Sequence, residues 1–224
     1  MESTAPDSRD RPKTSQEHAV EWLREAIVSR RLRPGDRVGQ DEVAARVGVS
    51  VVPVREAMRV LEREGQLTYL PRRGHFVNEL RIADLEEIYS LRELLEGRAV
   101  RWTMASFDEI MKARLVDAAR SCRDAAERRD VLGELVANRE LHFCLMDAPG
   151  QPHTLQIIAS LWDRTEAYRA LYYNSPEETE AAMNAHDEIV AMAMDGRVDD
   201  LIGALDAHRS RALEVLRGIL RDPS

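Results

Sequence analysis

Cysteine is nearly missing from this 224-residue chain: Cys122 and Cys144 are its two cysteines, and neither belongs to a CxxC pair. That leaves no disulfide framework and no thiolate metal knuckle, and it fits a reducing cytoplasm. Aromatic residues are also few, at 5%, while Leu, Ala, Glu and Arg dominate. This composition favours helix over sheet. No apolar run approaches the roughly 20 residues that span a bilayer. The N-terminus lacks the apolar core of a secretory signal. No internal repeat is visible.

What is present is enough hydrophobic residue, 44%, for packed cores, and 32% charge, typical of a helix-rich soluble chain. The length suggests one or two domains of roughly 100–150 residues. The net charge is −8, unevenly distributed. Residues 1–78 hold 14 Lys/Arg against 12 Asp/Glu (+2), and residues 79–224 hold 18 against 28 (−10). Within residues 30–74 the balance is 10 against 6 (+4). An acidic second half does not forbid phosphate binding by a local basic face, since charges beyond about 8–10 Å are largely screened at physiological salt.

Residues 1–14 are polar, with two prolines, and read as a disordered tail. Ser15 is placed to cap a first helix whose apolar stripe is Ala19, Trp22, Leu23, Ile27 and Leu32. Arg33-Pro34-Gly35-Asp36 makes a turn, and Arg37-Val38 a short strand. A helix then begins at Gln40 or Asp41, with Val43, Ala44 and Val47 inward, and ends at Gly48, which suits a positive φ. Ser50 is a good N-cap for the next helix, Pro53 is tolerated in its first turn, and Gly65 stops it. Val54, Met58 and Leu61 recur at helical spacing, leaving Arg55, Arg59 and Arg63 outside. Leu67–Leu70 and residues 75–77 form a hairpin around Pro71-Arg72-Arg73-Gly74. Residues 40–64 thus have the pattern of a helix-turn-helix and 67–77 that of a wing, whose arginines suit DNA phosphates or a minor groove. For Arg59 and Arg63, pairing with glutamates at helical spacing is an equally good account.

The phrases "LRPGDRV", "DEVAARVGVS", "VPVREAMRVLEREG" and "RRGHFV" resemble the winged helix-turn-helix of the GntR transcriptional regulators, over residues 15–79. The resemblance implies DNA-contacting roles at or near Ser50, Pro53, Arg55, Arg59, Arg72, Arg73, Gly74 and His75. One position departs from the family. Relatives often carry an arginine after the serine, able to read guanine bidentately, and here Val51 stands there. Valine offers an apolar contact to a thymine methyl instead.

From Ile82 the pattern is wholly helical. Six helices are expected, at about 84–106, 107–128, 131–146, 153–174, 176–195 and 198–221, forming an antiparallel bundle over 82–222. The fold class is therefore mainly α. Asn138 and His142 share a helix face, and His186 and His208 fall mid-helix. On spacing alone, a metal site and ordinary core or surface histidines are both open. His18 and His153 belong to no motif and read as surface residues.

"NRELHFCLMDAPGQPHTLQIIASL" and "AHDEIVAMAMDGRVDDLIGALDAH" resemble the FCD effector-binding domain of the FadR subfamily of GntR regulators. Many such domains hold a metal through an Asp-x-x-x-His pair and two later histidines. The resemblance implies a divalent ion, zinc first with nickel or manganese as alternatives, on His142, His186 and His208. Asn138 occupies the aspartate position, so the cation should be held more weakly or be balanced by an anionic effector. Arg92, in "YSLRELLEG", matches an arginine that often points into the effector pocket. An arginine fork fits a carboxylate, although pairing with Glu96 at i,i+4 is an equal alternative. Arg169, Tyr172 and Asn174 are further pocket candidates.

The expected function is DNA-binding regulation of transcription, as a repressor, by a homodimer on a pseudo-palindromic operator in the bacterial cytoplasm, on the nucleoid when bound. A small carboxylate effector would act through the metal-containing pocket. Two alternatives remain. One is a metal-dependent hydrolase, which lacks an evident general base. The other is a metal-sensing regulator.

Overall fold

The computed structural model describes residues 12–79, 81–147 and 150–221; the expectation for the polar tail at 1–11 lies outside the described residues. The chain divides into two compact units, Met1–Asn78 and Glu79–Ser224. Among the described residues no helix is long and apolar enough to cross a membrane.

In the first unit, α1 spans Ser15–Val28. Its cap is Thr14 rather than Ser15: the Thr14 hydroxyl accepts from the Glu17 amide and the Glu17 carboxylate accepts from the Thr14 amide. Thr14 is extended (φ −72°, ψ 159°), as a reciprocal capping box requires, whereas Ser15 is already helical. Ala19, Leu23 and Ile27 face the core, joined by Ala26 and Val28, while Trp22 stays half-buried. Helix α2 (Gln40–Val47) ends at Gly48 with φ 75°, in the left-handed region. Helix α3 (Val51–Arg63) turns Val54, Ala57, Met58 and Leu61 inward, all at 0% exposure. Each such large side chain contributes about 1.5–3 kcal/mol by leaving water. Three short strands, β1 (Arg37–Val38), β2 (Leu67–Leu70) and β3 (Gly74–Val77), form an antiparallel sheet in the order β1-β3-β2.

The second unit has seven helices among its described residues, one more than the pattern predicts: α4 (Ile82–Met104), α5 (Glu109–Glu127), α6 (Val131–Cys144), α7 (Pro152–Arg164), α8 (Glu166–Tyr173), α9 (Pro176–Met194) and α10 (Val198–Arg221). The expected fourth helix is broken at Thr165 (φ −107°, ψ 6°). The buried Thr165 hydroxyl bonds the carbonyl of Trp162 at 3.1 Å, and the Arg169 guanidinium donates to that carbonyl at 3.0 Å and to the hydroxyl at 2.7 Å. Side chains thus satisfy carbonyls that a continuous helix would have bonded itself.

Helix α4 departs from its hydrophobic pattern. Arg92 and Glu96 are buried, at 4% and 2% exposure, while Leu91 and Leu94 are 42% and 72% exposed. The charged pair is internal because its members neutralise each other and have further partners inside. Tyr168 closes the start of the helix, its hydroxyl accepting from the Arg81 amide at 2.7 Å and donating to the Arg81 carbonyl at 3.0 Å.

Candidate functional site

In the first unit, the α2–α3 turn and the wing set out the expected basic face. Ser50 is the N-cap of α3 by position (φ −72°, ψ 165°), but its hydroxyl makes no capping bond, and no acidic residue stands in the first turn. The hydroxyl and the first-turn amides therefore remain available to a phosphate. Pro53 is half-buried beside them. Arg55 is exposed and has no ion pair among the described residues. Arg59 pairs with Glu56 at 3.0 Å, both partners about half exposed, so the surface-pair account holds for its resting state. Val52, not singled out by pattern, is 63% exposed at the start of α3. It presents more apolar surface than the half-buried Val51.

At the wing tip, Arg72 (φ 65°) and Gly74 (φ 98°) both adopt left-handed backbone. Arg37 Nε donates to the Arg73 carbonyl at 2.9 Å, tying the tip to β1. A Cβ at Gly74 would also lie 3.5 Å from that guanidinium. The Arg73 guanidinium rests 5.2 Å from the Phe76 ring. Arg72 and Arg73 are exposed. His75 is not: it is 5% exposed, its ring 5.1 Å from that of Tyr69 and its Nε2 3.6 Å from Glu62. Strand alternation turns it inward, so its side chain supports the wing rather than facing solvent.

The second unit brings the three later histidines together. His142 on α6, His186 on α9 and His208 on α10 offer ligand atoms within 4.8 Å of one another. Their ring centroids are 4.9–5.6 Å apart. Asn138 lies one turn before His142 and is 2% exposed. Its Oδ1, both ring nitrogens of His186 and Nδ1 of His208 are buried without a hydrogen-bond partner. Unpaired buried polar atoms are rare, and this convergent set fits a divalent cation. Burial, followed by the neighbouring imidazoles, holds His142 and His186 well below the usual histidine range. Burial, with Arg92 and Arg209, pushes His208 down to about 4. All three are neutral near pH 7, the form that ligates metal.

Beside the imidazoles lies a cationic wall. Arg92 Nε and Trp162 Nε1 each donate to Glu96 Oε1 at 2.7 Å, and Arg209 Nη2 donates to Glu96 Oε2 at 2.8 Å. Burial alone would raise the Glu96 carboxyl, but Arg92 and Arg209 hold it below the ordinary range. Arg92 pairs with Glu96 and also lines the pocket. Arg169 and Tyr172 also line it. Arg169 is 6% exposed and pairs with no carboxylate among the described residues; burial and then Arg92 lower it to about 10. The Arg92 and Arg169 guanidiniums lie 4.2 and 4.5 Å from the Trp162 ring. Asn174 does not join this pocket. It is exposed, donates to the Ala170 carbonyl at 2.8 Å, and borders a different cavity. The pattern missed Glu96, Trp162 and Arg209. The only signals were the Arg92–Glu96 spacing and the adjacency of Arg209 to His208. His18 and His153 are exposed.

Residues 15–77 match the family described as bacterial regulatory proteins, gntR family, and residues 87–211 match the FCD domain. The chain is 28% identical over 205 residues to the Nta operon transcriptional regulator of Aminobacter aminovorans, covering 87% of this chain and 93% of that one. It is 35% identical over 137 residues to an HTH-type transcriptional regulator from the TAR-I ttuE-ttuC' intergenic region of Agrobacterium vitis, covering 59% of this chain and 80% of that one. The solved structure of E. coli McbR/YncC superposes with a TM-score of 0.79 at 21% identity, covering 92% of this chain and 99% of that one. These families and relatives are regulators of transcription, which sets the hydrolase alternative aside. The chain belongs to the gntR family of bacterial DNA-binding transcriptional regulators, with an FCD domain as its C-terminal unit.

Proposed function

We propose that this regulator is a homodimeric, cytoplasmic repressor whose hold on a pseudo-palindromic operator is set by a small carboxylate in the histidine pocket. The observation that carries this reading is the charge of that pocket. Arg92, Arg169 and Arg209 are all buried, against one fully buried carboxylate, Glu96. Asp206, which also pairs with Arg209, is about a third exposed. His142, His186 and His208, with the neutral Asn138, would hold a divalent ion, zinc by the preference of three imidazoles. An ion there adds positive charge to a wall already in excess, and an anion is the natural complement. When bound, the cation supplies a Lewis-acidic anchor for a carboxylate. Arg92 and Arg169 orient that carboxylate, and Tyr172 closes the cavity around it.

On DNA, Ser50, Arg55 and the Arg72-Arg73-Gly74 tip would contact phosphates, with Pro53 shaping the helix start, Arg59 entering if it exchanges Glu56 for phosphate, and His75 bracing the wing. Val51 and Val52 would present methyl groups to base edges. The dimer reading is supported by an exposed apolar stripe on α4, where Leu91 and Leu94 stand at 42% and 72% exposure. Helix α7, which packs on α4, adds Ile157 at 52% exposure. Two operator-bound units would block other proteins from the same DNA, which is repression without any further surface.

The test is fluorescence anisotropy of the full chain on DNA from upstream of its own coding region. Zinc and a panel of di- and tricarboxylates are added separately and together, with elemental analysis of bound metal. The expected result is one metal per chain, lost in His186→Ala, and a tenfold or larger change in operator affinity with carboxylate only in the metal-loaded protein. A tenfold change needs about 1.4 kcal/mol of differential binding. Equal binding to random DNA at moderate salt would overturn the operator reading, and unchanged metal content in His186→Ala would overturn the metal site.

A second reading, that the cation itself is the effector, is favoured by one feature. The open space within the pocket is only about 30 Å³, room for an ion or a water but not for a carboxylate unless side chains move. Full regulation by zinc alone, with no added effect of any acid, would select it.

A further inference from the structure

A second cavity lies between the C-terminal end of α5, the start of α6 and the start of α9, with a volume of about 390 Å³. That is the size of a small-molecule site, far roomier than the histidine pocket. The two share Tyr173 as a wall but are otherwise lined by different residues. Nothing in the proposed regulatory mechanism uses it.

Glu134, in the first turn of α6, lines this cavity at 2% exposure. Its Oε2 is buried without a hydrogen-bond partner. A buried carboxylate oxygen left unpaired is costly, and no guanidinium or ammonium of the chain pairs with this one among the described residues. The rest of the rim does not supply the missing charge. Glu127 and Glu180 are acidic, Arg123 is engaged by Asp187, and Arg129 is exposed in the turn after α5. The lining therefore sets three carboxyl groups against two arginines, and its deepest acid has no cation beside it. Between the polar groups lie apolar surfaces from Val131, Pro176 and Met183.

We propose that this cavity is a second ligand site, for a small organic ammonium ion whose charge is received by Glu134 and whose apolar body packs on Val131, Pro176 and Met183. A metal ion is the poorer match. It needs several converging oxygen or nitrogen ligands, and this wall holds one buried carboxylate and no histidine or cysteine. An ammonium needs one anion and tolerates an apolar surround. Burial raises the Glu134 carboxyl to about 7, partly opposed by Thr179 and reinforced by Asp130, so the acid lacks a counter-charge in the resting state.

The experiment is calorimetric titration of the full-length protein with n-butylamine, benzylamine and putrescine, each compared with n-butanol and butyrate. Amide chemical-shift mapping of the wild type is run alongside. Saturable binding of at least one ammonium probe is expected, tenfold or more tighter than the alcohol, with shifts centred on Val131–Glu134 and Thr179–Met183. Glu134→Gln is expected to weaken that binding at least tenfold while the far-ultraviolet spectrum is kept. Binding of the alcohol as tight as the amine, shifts centred instead on His208–Arg209, or no saturable binding by any of the three amines would overturn the proposal. The mapping needs no variant, so a Glu134→Gln protein that fails to fold does not remove the test.

Discussion

Arginine stands in two different settings in the two units. In the first, Arg55, Arg72 and Arg73 stand on the surface. In the second, Arg92, Arg169 and Arg209 are 4–7% exposed, held by a buried carboxylate, the Trp162 carbonyl and the Trp162 ring. A DNA phosphate is met by side chains that are already hydrated, and the gain comes from displaced counterions. A small anion in a cavity is met by cations that folding has already dehydrated and oriented, so little reorganisation remains at binding. The same pairing of residue types at helical spacing shows the contrast directly. Glu56–Arg59 is half exposed, and Arg92–Glu96 is buried.

The largest expected effect tests that contrast. Glu96→Ala leaves the Arg92 guanidinium and the Trp162 N–H without this acceptor and Arg209 with Asp206 alone, and about 3–5 kcal/mol of unfolding free energy should be lost in urea titrations. Glu56→Ala should change it by about 0.5 kcal/mol or less. Comparable losses would break the distinction between the two pairs.

Next in size is base reading. Val51→Arg introduces a fork at the start of α3 and should shift preference toward guanine at one operator position by about 1–3 kcal/mol, read by competition among single-base operator variants. An unchanged preference would mean that this end of α3 does not reach the groove.

Arg55→Ala and Arg72→Ala should each weaken operator binding and lower the slope of log affinity against log salt by about 0.9 per lost phosphate contact. Arg169→Ala should leave that slope alone while reducing the response to carboxylate. A changed salt slope in Arg169→Ala would blur the division of labour.

The smallest expected effect is in pH dependence. The folded Glu134 carboxyl sits at about 7, above its ordinary value of 4.5. Between those two values the folded state binds the proton more than the unfolded state, so stability from this group falls as pH rises through the window and is flat above it. Glu134→Gln should therefore gain melting temperature relative to wild type as pH goes from 5 to 8. A gain that is constant with pH would show that the acid is not held protonated.

Much of the first unit was legible because its signals are local. Gly48 and Gly74 stand where the backbone is left-handed, Ser50 and Gly65 bracket α3, and alternation over Leu67–Val77 places a hairpin. The misses there were also local. Thr14 competed with Ser15 for the cap, and His75 fell on the inward side of β3. In the second unit the helices were legible but the contents of the bundle were not. Hydrophobicity gave no reason to bury Glu96, because its burial depends on Trp162 and Arg209, 66 and 113 residues away. The break at Thr165 depends on Arg169 turning back onto the Trp162 carbonyl.

Periodicity, caps and turn residues were enough to specify two units, a winged helix-turn-helix pattern and a helical second half, since each depends on neighbours within a few residues. The alignment of His142, His186 and His208 could be suspected from family likeness. Their convergence to within 4.8 Å, the burial of Arg92 and Arg209 on Glu96 with Arg169 nearby in the same pocket, and the cavity at Glu134 were decided only by tertiary packing. The free energy of a buried charge is set by what surrounds it in space, and separation along the chain carries no record of that.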